Sequence, residues 1–196
     1  MQTSVDTPRE WTFEDYLATA EDDRFEIIDG AAYSMAAPSG AHQAVVQELC
    51  RLIGNCLAGK SCVVRPAPYT VKLSNRDVVQ PDVSVICDRK KLKSWGCDGA
   101  PDMVIEVRSR STGSRDALRK FNLYRDAGVQ EYWMVLPDYK EVHVYLLKDK
   151  QYVGQQYGVD DGEIQASSLD GCRIDLNEVF GGFAGEEEAA QGVLIE

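Results

Sequence analysis

"VVQPDVSVICDRKKLKSWGCDGAPDMVIEVRS" spans residues 78–109 and holds two short apolar runs, each entered by Pro-Asp. The second run also carries an acid, Glu106, between Ile105 and Val107. Short apolar runs rich in Val and Ile and bounded by Pro and Gly read as buried strands. A carboxylate on such a strand is costly unless it is paired or holds a metal. Side chains alternate along a strand. Asp82, Ser84 and Ile86 therefore share one face of the first run, and Asp102, Val104, Glu106 and Arg108 share one face of the second. If the strands are neighbours, Asp82 and Glu106 converge. Two carboxylates held together repel unless a cation sits between them. Magnesium favours one or two carboxylates with retained waters and a phosphate. Mg²⁺ or Mn²⁺ is therefore the expected ion, with the main-chain carbonyl of Val107 as a further oxygen.

Such a site suits phosphodiester hydrolysis. A metal lowers the pKa of the attacking water, and a nearby cation stabilises charge at phosphorus. The sequence offers two cations: Arg108, on the face of Glu106, and Lys120, in the segment that follows. Arginine is a fixed cation that does not exchange its proton near neutral pH, which favours Lys120.

The flanking segments predict an α/β or α+β fold, with a mixed sheet, helices packed against it, and an N-terminal helix and hairpin. Thr12 and Asp15 mark a short helix over 12–21. Residues 24–35 read as a hairpin turning at Asp29-Gly30. Residues 38–57 read as a helix with Val45, Leu49, Leu52, Ile53 and Cys56 on one stripe. Residues 112–128 form the clearest helix, with Leu118, Phe121 and Tyr124 expected on its buried face and Gly128 as its stop. Strands are expected over 129–137 and 141–147, sheet-edge extensions over 151–157 and 162–168, and a last helical turn over 175–180. Without a linker, residues 1–180 read as one domain and 181–196 as an acidic, flexible tail.

The net charge of −11 is unevenly spread. Residues 1–30 carry net −7, residues 31–159 net +5, and residues 160–196 net −9. The basic middle is compatible with a local phosphate-binding surface. No apolar run approaches the roughly 18 residues that span a membrane. The acidic start lacks a signal pattern, so a cytoplasmic location is expected. The six cysteines include no Cys-x-x-Cys pair and are expected to be reduced thiols.

The combined motifs resemble the Uma-two family, assigned as endonucleases of the PD-(D/E)XK nuclease superfamily. Gln80-Pro81-Asp82, then Ala100-Pro101-Asp102 leading into Ile105-Glu106-Val107, then Ser109, Ser111 and Thr112 carry the resemblance. Asp116, Lys120 and Tyr124, followed by Ala127-Gly128-Val129 and Glu131-Tyr132-Trp133, extend it. Glu26, Ile28-Asp29-Gly30, Pro38-Ser39 and His42 look like the family's opening. The resemblance covers roughly residues 10–180. It implies a restriction-endonuclease-like core, DNA as substrate, Asp82 and Glu106 as metal ligands, and Lys120 as the superfamily's lysine, moved from strand to helix. Glu26, His42, Asp102, Arg108 and Tyr124 become accessory candidates. Two positions depart from the family's pattern: Arg108 stands where an apolar residue is common, and Arg110 where proline is common.

Each residue also has a plainer reading. Asp82 and Asp102 can be strand-entry turns. Glu106 can pair with Arg108 or Arg125, and Lys120 with Asp116 four residues earlier. Glu26 can pair across a strand with a cation such as Arg24, and His42 can cap or pack a helix. The competing function is a catalytically inactive module of the same fold that binds nucleic acid or a protein. A homodimer paired through a sheet edge is a further expectation.

Overall fold

The computed structural model of the chain describes residues 9–19, 24–108 and 114–181. In chain order its strands are β1 (Phe25–Ile28), β2 (Ala31–Ser34), β3 (Val63–Pro66), β4 (Val71–Ser74), β5 (Asp77–Val79), β6 (Val83–Ile86) and β7 (Leu92–Lys93). There follow β8 (Gly96–Asp98), β9 (Met103–Val107), β10 (Glu131–Leu136), β11 (Glu141–Lys148), β12 (Gln151–Gly158), β13 (Glu163–Gln165) and β14 (Arg173–Asp175). The α-helices are α1 (Phe13–Thr19), α2 (Gly40–Cys56), α3 (Ser114–Ala127) and α4 (Leu176–Gly181).

Two six-stranded mixed sheets carry the fold. The first runs β2-β1-β5-β4-β8-β7 and the second β12-β11-β10-β9-β6-β3. In the second sheet β9 and β10 are parallel and are joined by α3 as a crossover helix, while the other pairs are antiparallel. A parallel pair needs such a long connection because its strands begin at the same end. One face of this sheet packs on α2, α4 and the β13–β14 hairpin around Leu49, Ile53, Ile105, Trp133 and Phe180. The other face meets α3 and the first sheet around Ile28, Val79, Val104, Tyr124 and Tyr132. A small third core, Phe13, Tyr16, Phe25, Ile27 and Val78, seats α1 on the first sheet.

Local chemistry sets the boundaries. The Thr12 N–H donates to Asp15 Oδ2 at 3.0 Å, and the Asp15 N–H donates to Thr12 Oγ1 at 3.3 Å, a reciprocal cap for α1. The helix is described to Thr19; the expected end at 20–21 lies outside the described residues. Asp29 and Gly30 both take positive φ, 50° and 74°, as a tight β-hairpin turn requires. Ser39 caps α2, its Oγ accepting from the His42 N–H at 3.2 Å.

Three sequence expectations need adjustment. Leu118 is 62% exposed; α3 buries Tyr124, as expected, and Lys120 in place of Leu118. Carboxylates replace apolar neighbours there, which apolar periodicity does not anticipate. Of the two expected edge segments only β12 joins a large sheet, whereas β13 pairs with β14. Cys62 and Cys87 are disulfide-bonded, not reduced, because the β3–β6 register that pairs Val63 with Ile86 sets them opposite one another. Cys50, Cys56, Cys97 and Cys172 are free. Finally, the Ser109, Arg110, Ser111 and Thr112 stretch and the acidic tail beyond Gly181 lie outside the described residues.

Candidate active site

The β6–β9 register pairs Val83 with Ile105 and Ser84 with Val104. One step further sets Asp82 across from Glu106, at the end of the sheet where β9 meets Arg108. The two Pro-Asp segments are therefore neighbours, and the two acids lie at one end of them. Asp102 lies at the other end of β9. Four steps along the strand separate it from Glu106, about 13 Å, and its Oδ2 accepts from the Cys87 N–H at 2.7 Å. That bond ties the start of β9 to the end of β6 and is not an Asx turn within Asp102's own strand.

Glu106 is 8% exposed and Glu26, on β1, is 5% exposed. Lys120 reaches both from α3, with its Nζ 2.9 Å from Glu26 Oε2 and 3.1 Å from Glu106 Oε1. It does this instead of pairing with Asp116. The Tyr124 hydroxyl, one helical turn on, donates to Glu106 Oε1 at 2.6 Å. Glu26 is held further by the Gln80 main-chain N–H, 2.9 Å from its Oε1. Gln80 in turn donates from Nε2 to the Tyr16 hydroxyl at 2.7 Å, tying the site to α1.

Asp82 is anchored separately. The Val107 N–H donates to its Oδ2 at 2.8 Å, and His42 Nε2 lies 3.1 Å from the same oxygen. The N–H and C=O of a strand residue face the same side, so the Val107 carbonyl faces Asp82 too. Both contacts of Asp82 fall on Oδ2, and both contacts of Glu106 fall on Oε1. Oδ1 of Asp82 and Oε2 of Glu106 receive none of these bonds.

The electrostatics follow from burial. Burial pushes the Glu106 carboxyl up from its ordinary 4.5 to about 7; Lys120 pulls it down, Asp82 and Glu26 push it up, and the Tyr124 bond lowers it. Burial disfavours the Lys120 ammonium, but Glu106 and Glu26 more than offset this, so its pKa lies above the usual lysine value. Burial also works against the His42 imidazolium, yet the hydrogen bond and charge of Asp82 raise its pKa overall. Burial, with Glu106 beside it, holds the Tyr124 phenol well above its normal value. All three accessory carriers of charge or protons here, Glu26, His42 and Tyr124, thus touch one of the two strand acids or Lys120.

Two clefts flank Val107. One, of about 320 Å³, is lined by Glu26, Glu106, Arg108, Lys120 and Tyr132, with residues 33–36 of the hairpin as its wall. The other, of about 700 Å³, is lined by Ser39, His42, Asp82 and Pro68 among others. Met35, Ala36 and Val107 border both. Sequence reasoning gave no role to Gln80 beyond its motif, nor any to Tyr132 or the hairpin wall. Tyr132 had a signal: it alternates with Trp133 on a strand, so the two face opposite sides. Among the described residues no group of three or more His, Cys, Asp or Glu side chains is arranged to hold a metal ion.

A β-α-β crossover inside a mixed sheet thus brings acids at two adjoining strands together with a lysine from the crossover helix. A crystal structure described as "a putative nuclease belonging to DUF820", from Anabaena variabilis, shares this fold with a TM-score of 0.73. The match covers 87% of this chain and 97% of that one at 20% identity. An uncharacterised protein of Synechocystis sp. is 33% identical over 140 residues, 69% of this chain and 74% of its own length. The model of the Uma2 family, "Putative restriction endonuclease", matches residues 13–177. The chain belongs to the Uma2 family, as its Pro-Asp and Glu106 motifs indicated. No helix of the described residues is long and apolar enough to cross a membrane.

Proposed function

We propose that this chain is a metal-dependent DNA endonuclease that hydrolyses phosphodiester bonds, with Asp82, Glu106 and the Val107 carbonyl holding Mg²⁺ or Mn²⁺. The observation that carries this reading is the one-sided anchoring of the two acids: Oδ2 of Asp82 and Oε1 of Glu106 are fixed by donors from described residues, and the other oxygen of each stands outside these bonds. Oxygen donors of this kind suit magnesium and manganese. The ion, when bound, acidifies an attacking water and takes up charge at a phosphoryl oxygen.

The chain's own residues do the rest. Lys120 and Tyr124 fix Glu106, and His42 and the Val107 N–H fix Asp82, so neither acid reorganises during the reaction. Lys120 supplies positive charge beside the phosphorus. Glu26, held by Lys120 and Gln80, keeps the ammonium protonated and aimed. Titration of the protein with Mn²⁺, followed by incubation with supercoiled plasmid, tests the reading. The wild type is expected to bind the ion and nick the plasmid. A folded Asp82→Asn/Glu106→Gln variant is expected to do neither, and undiminished nicking by that variant refutes the assignment.

A further inference from the structure

We propose that β12 pairs with β12 of a second copy of this chain, antiparallel and edge to edge, closing a twofold dimer.

β12 ends the second sheet, with β11 as its one strand neighbour among the described residues. All eight of its residues pair with β11 in one unbroken register. Every other N–H and C=O of the strand therefore points outward, a row of main-chain donors and acceptors open to another strand. Exposed edges are ordinarily blunted by charge, proline, a bulge or shortness. β12 has none of these. Gln151 to Gly158 include no charged residue and no proline, and no shift interrupts the ladder. Val153, in the middle of the strand, is 53% exposed.

The flanking charges select the partner. The strand is entered through Lys148, Asp149 and Lys150 and left through Asp160 and Asp161, all exposed. A second copy running antiparallel sets the lysine turn of each chain beside the aspartate turn of the other. A parallel copy would set aspartates against aspartates. Opposed charges at both ends favour one orientation and disfavour the other. A twofold axis serves both ends at once and uses up both β12 edges, so this contact closes at two copies.

The surface suits a register centred on Gly154. A shallow recess of about 280 Å³ lies there, lined by His143, Tyr145, Gly154, Gln155 and Gln156. The Tyr145 ring lies across Gly154, where a Cβ would come within 2.7 Å of it, so the glycine keeps this stretch flat. With the axis at Gly154, Tyr152 stands across from Gln156 of the partner subunit, on the face that carries the recess. Val153 stands across from Gln155 of the partner subunit. Glu106 pairs with Met134, Met134 with His143 and His143 with Gln156, and paired residues share a face. The two six-stranded sheets then become one, with both candidate sites on the same side of it.

Sedimentation equilibrium of the full chain tests the pairing. In about 150 mM salt, charges are screened beyond roughly 8 Å, so the net charge of −11 on each copy weighs little against the edge contacts. The wild type is expected at twice the chain mass of 21.8 kDa. Val153→Lys/Gln155→Lys sets lysine across from lysine and is expected to raise the dimer Kd by about a hundredfold. Both side chains are exposed, so the circular dichroism spectrum is expected to stay that of the folded chain. Lys148→Glu/Lys150→Asp is expected to raise the Kd by about tenfold, and adding Asp160→Lys to restore it; aspartate tolerates the φ of 62° at position 150. A monomeric wild type overturns the proposal and leaves the edge to another part of the chain or to a different partner. A dimer that the edge lysines leave intact overturns it as well. Failure of Asp160→Lys to restore association overturns the antiparallel orientation.

Discussion

Replacing Lys120 with methionine is the most direct probe of how this site is held. The methionine keeps the length and apolar stem of the lysine and removes only the ammonium. It leaves Glu26 and Glu106, 5% and 8% exposed, facing each other without their shared cation. Removing one partner of a buried ion pair typically costs about 3–5 kcal/mol, since an uncompensated charge stays behind. That is a large share of the roughly 5–15 kcal/mol that stabilises a domain. The cost must depend on pH. Burial already pushes Glu106 from 4.5 to about 7, against the pull of Lys120. Without Lys120 it rises further. An acid with a raised folded pKa contributes stability that is complete below its unfolded value and fades as pH rises through the folded value. The variant should therefore lose most at high pH, where Glu106 must ionise, and least where Glu106 can take up a proton. Urea unfolding of both proteins at pH 5 and pH 8 measures this. The expected gap is about 3–5 kcal/mol at pH 8, clearly smaller at pH 5, and partly recovered in Lys120→Met/Glu106→Gln. A gap below about 1 kcal/mol at pH 8, the scale of an exposed pair, or one equal at both values, would show that the three groups do not form a buried charge cluster.

Two further outcomes are expected. Mn²⁺ must displace the proton that burial holds on Glu106 up to about pH 7. Its affinity should therefore rise by roughly tenfold between pH 6 and pH 8; calorimetry across that range reads it, and a flat profile counts against Glu106 as a ligand. Gly154 faces Tyr145 across the β11–β12 pair, and a Cβ there would sit 2.7 Å from Tyr145 Cε1. Gly154→Ala should lower stability by about 1–3 kcal/mol, whereas Gly158→Ala, with open space around it, serves as the mild control in a thermal melt.

Much of the fold was legible because its cues are local. Pro-Asp before a Val- and Ile-rich run marks a strand start. Thr12 and Asp15 mark a cap, and Asp29-Gly30 a turn. Alternation showed that Glu106 faces away from Ile105, so an acid had to be accounted for on that face. Those cues, with their spacing, were enough to select Asp82 and Glu106 and to indicate the family. Leu118 marks where such reasoning ends: its position on an apolar stripe says nothing about whether the partner surface is apolar.

The sequence by itself determined which short segments become strands and helices and which side chains share a face, because backbone sterics and side-chain alternation act over a few residues. The tertiary structure alone decided what those faces meet. It brought Glu26 to Lys120 across 94 residues, joined Lys120 to Glu106 and not to Asp116, set Cys62 against Cys87, and placed Tyr132 in the cleft with its hydroxyl unpaired among the described residues. These outcomes depend on strand register and on the path of the β9–α3–β10 crossover. Both are fixed by packing between distant segments, and a one-residue slip in either would exchange every face that the local pattern had assigned.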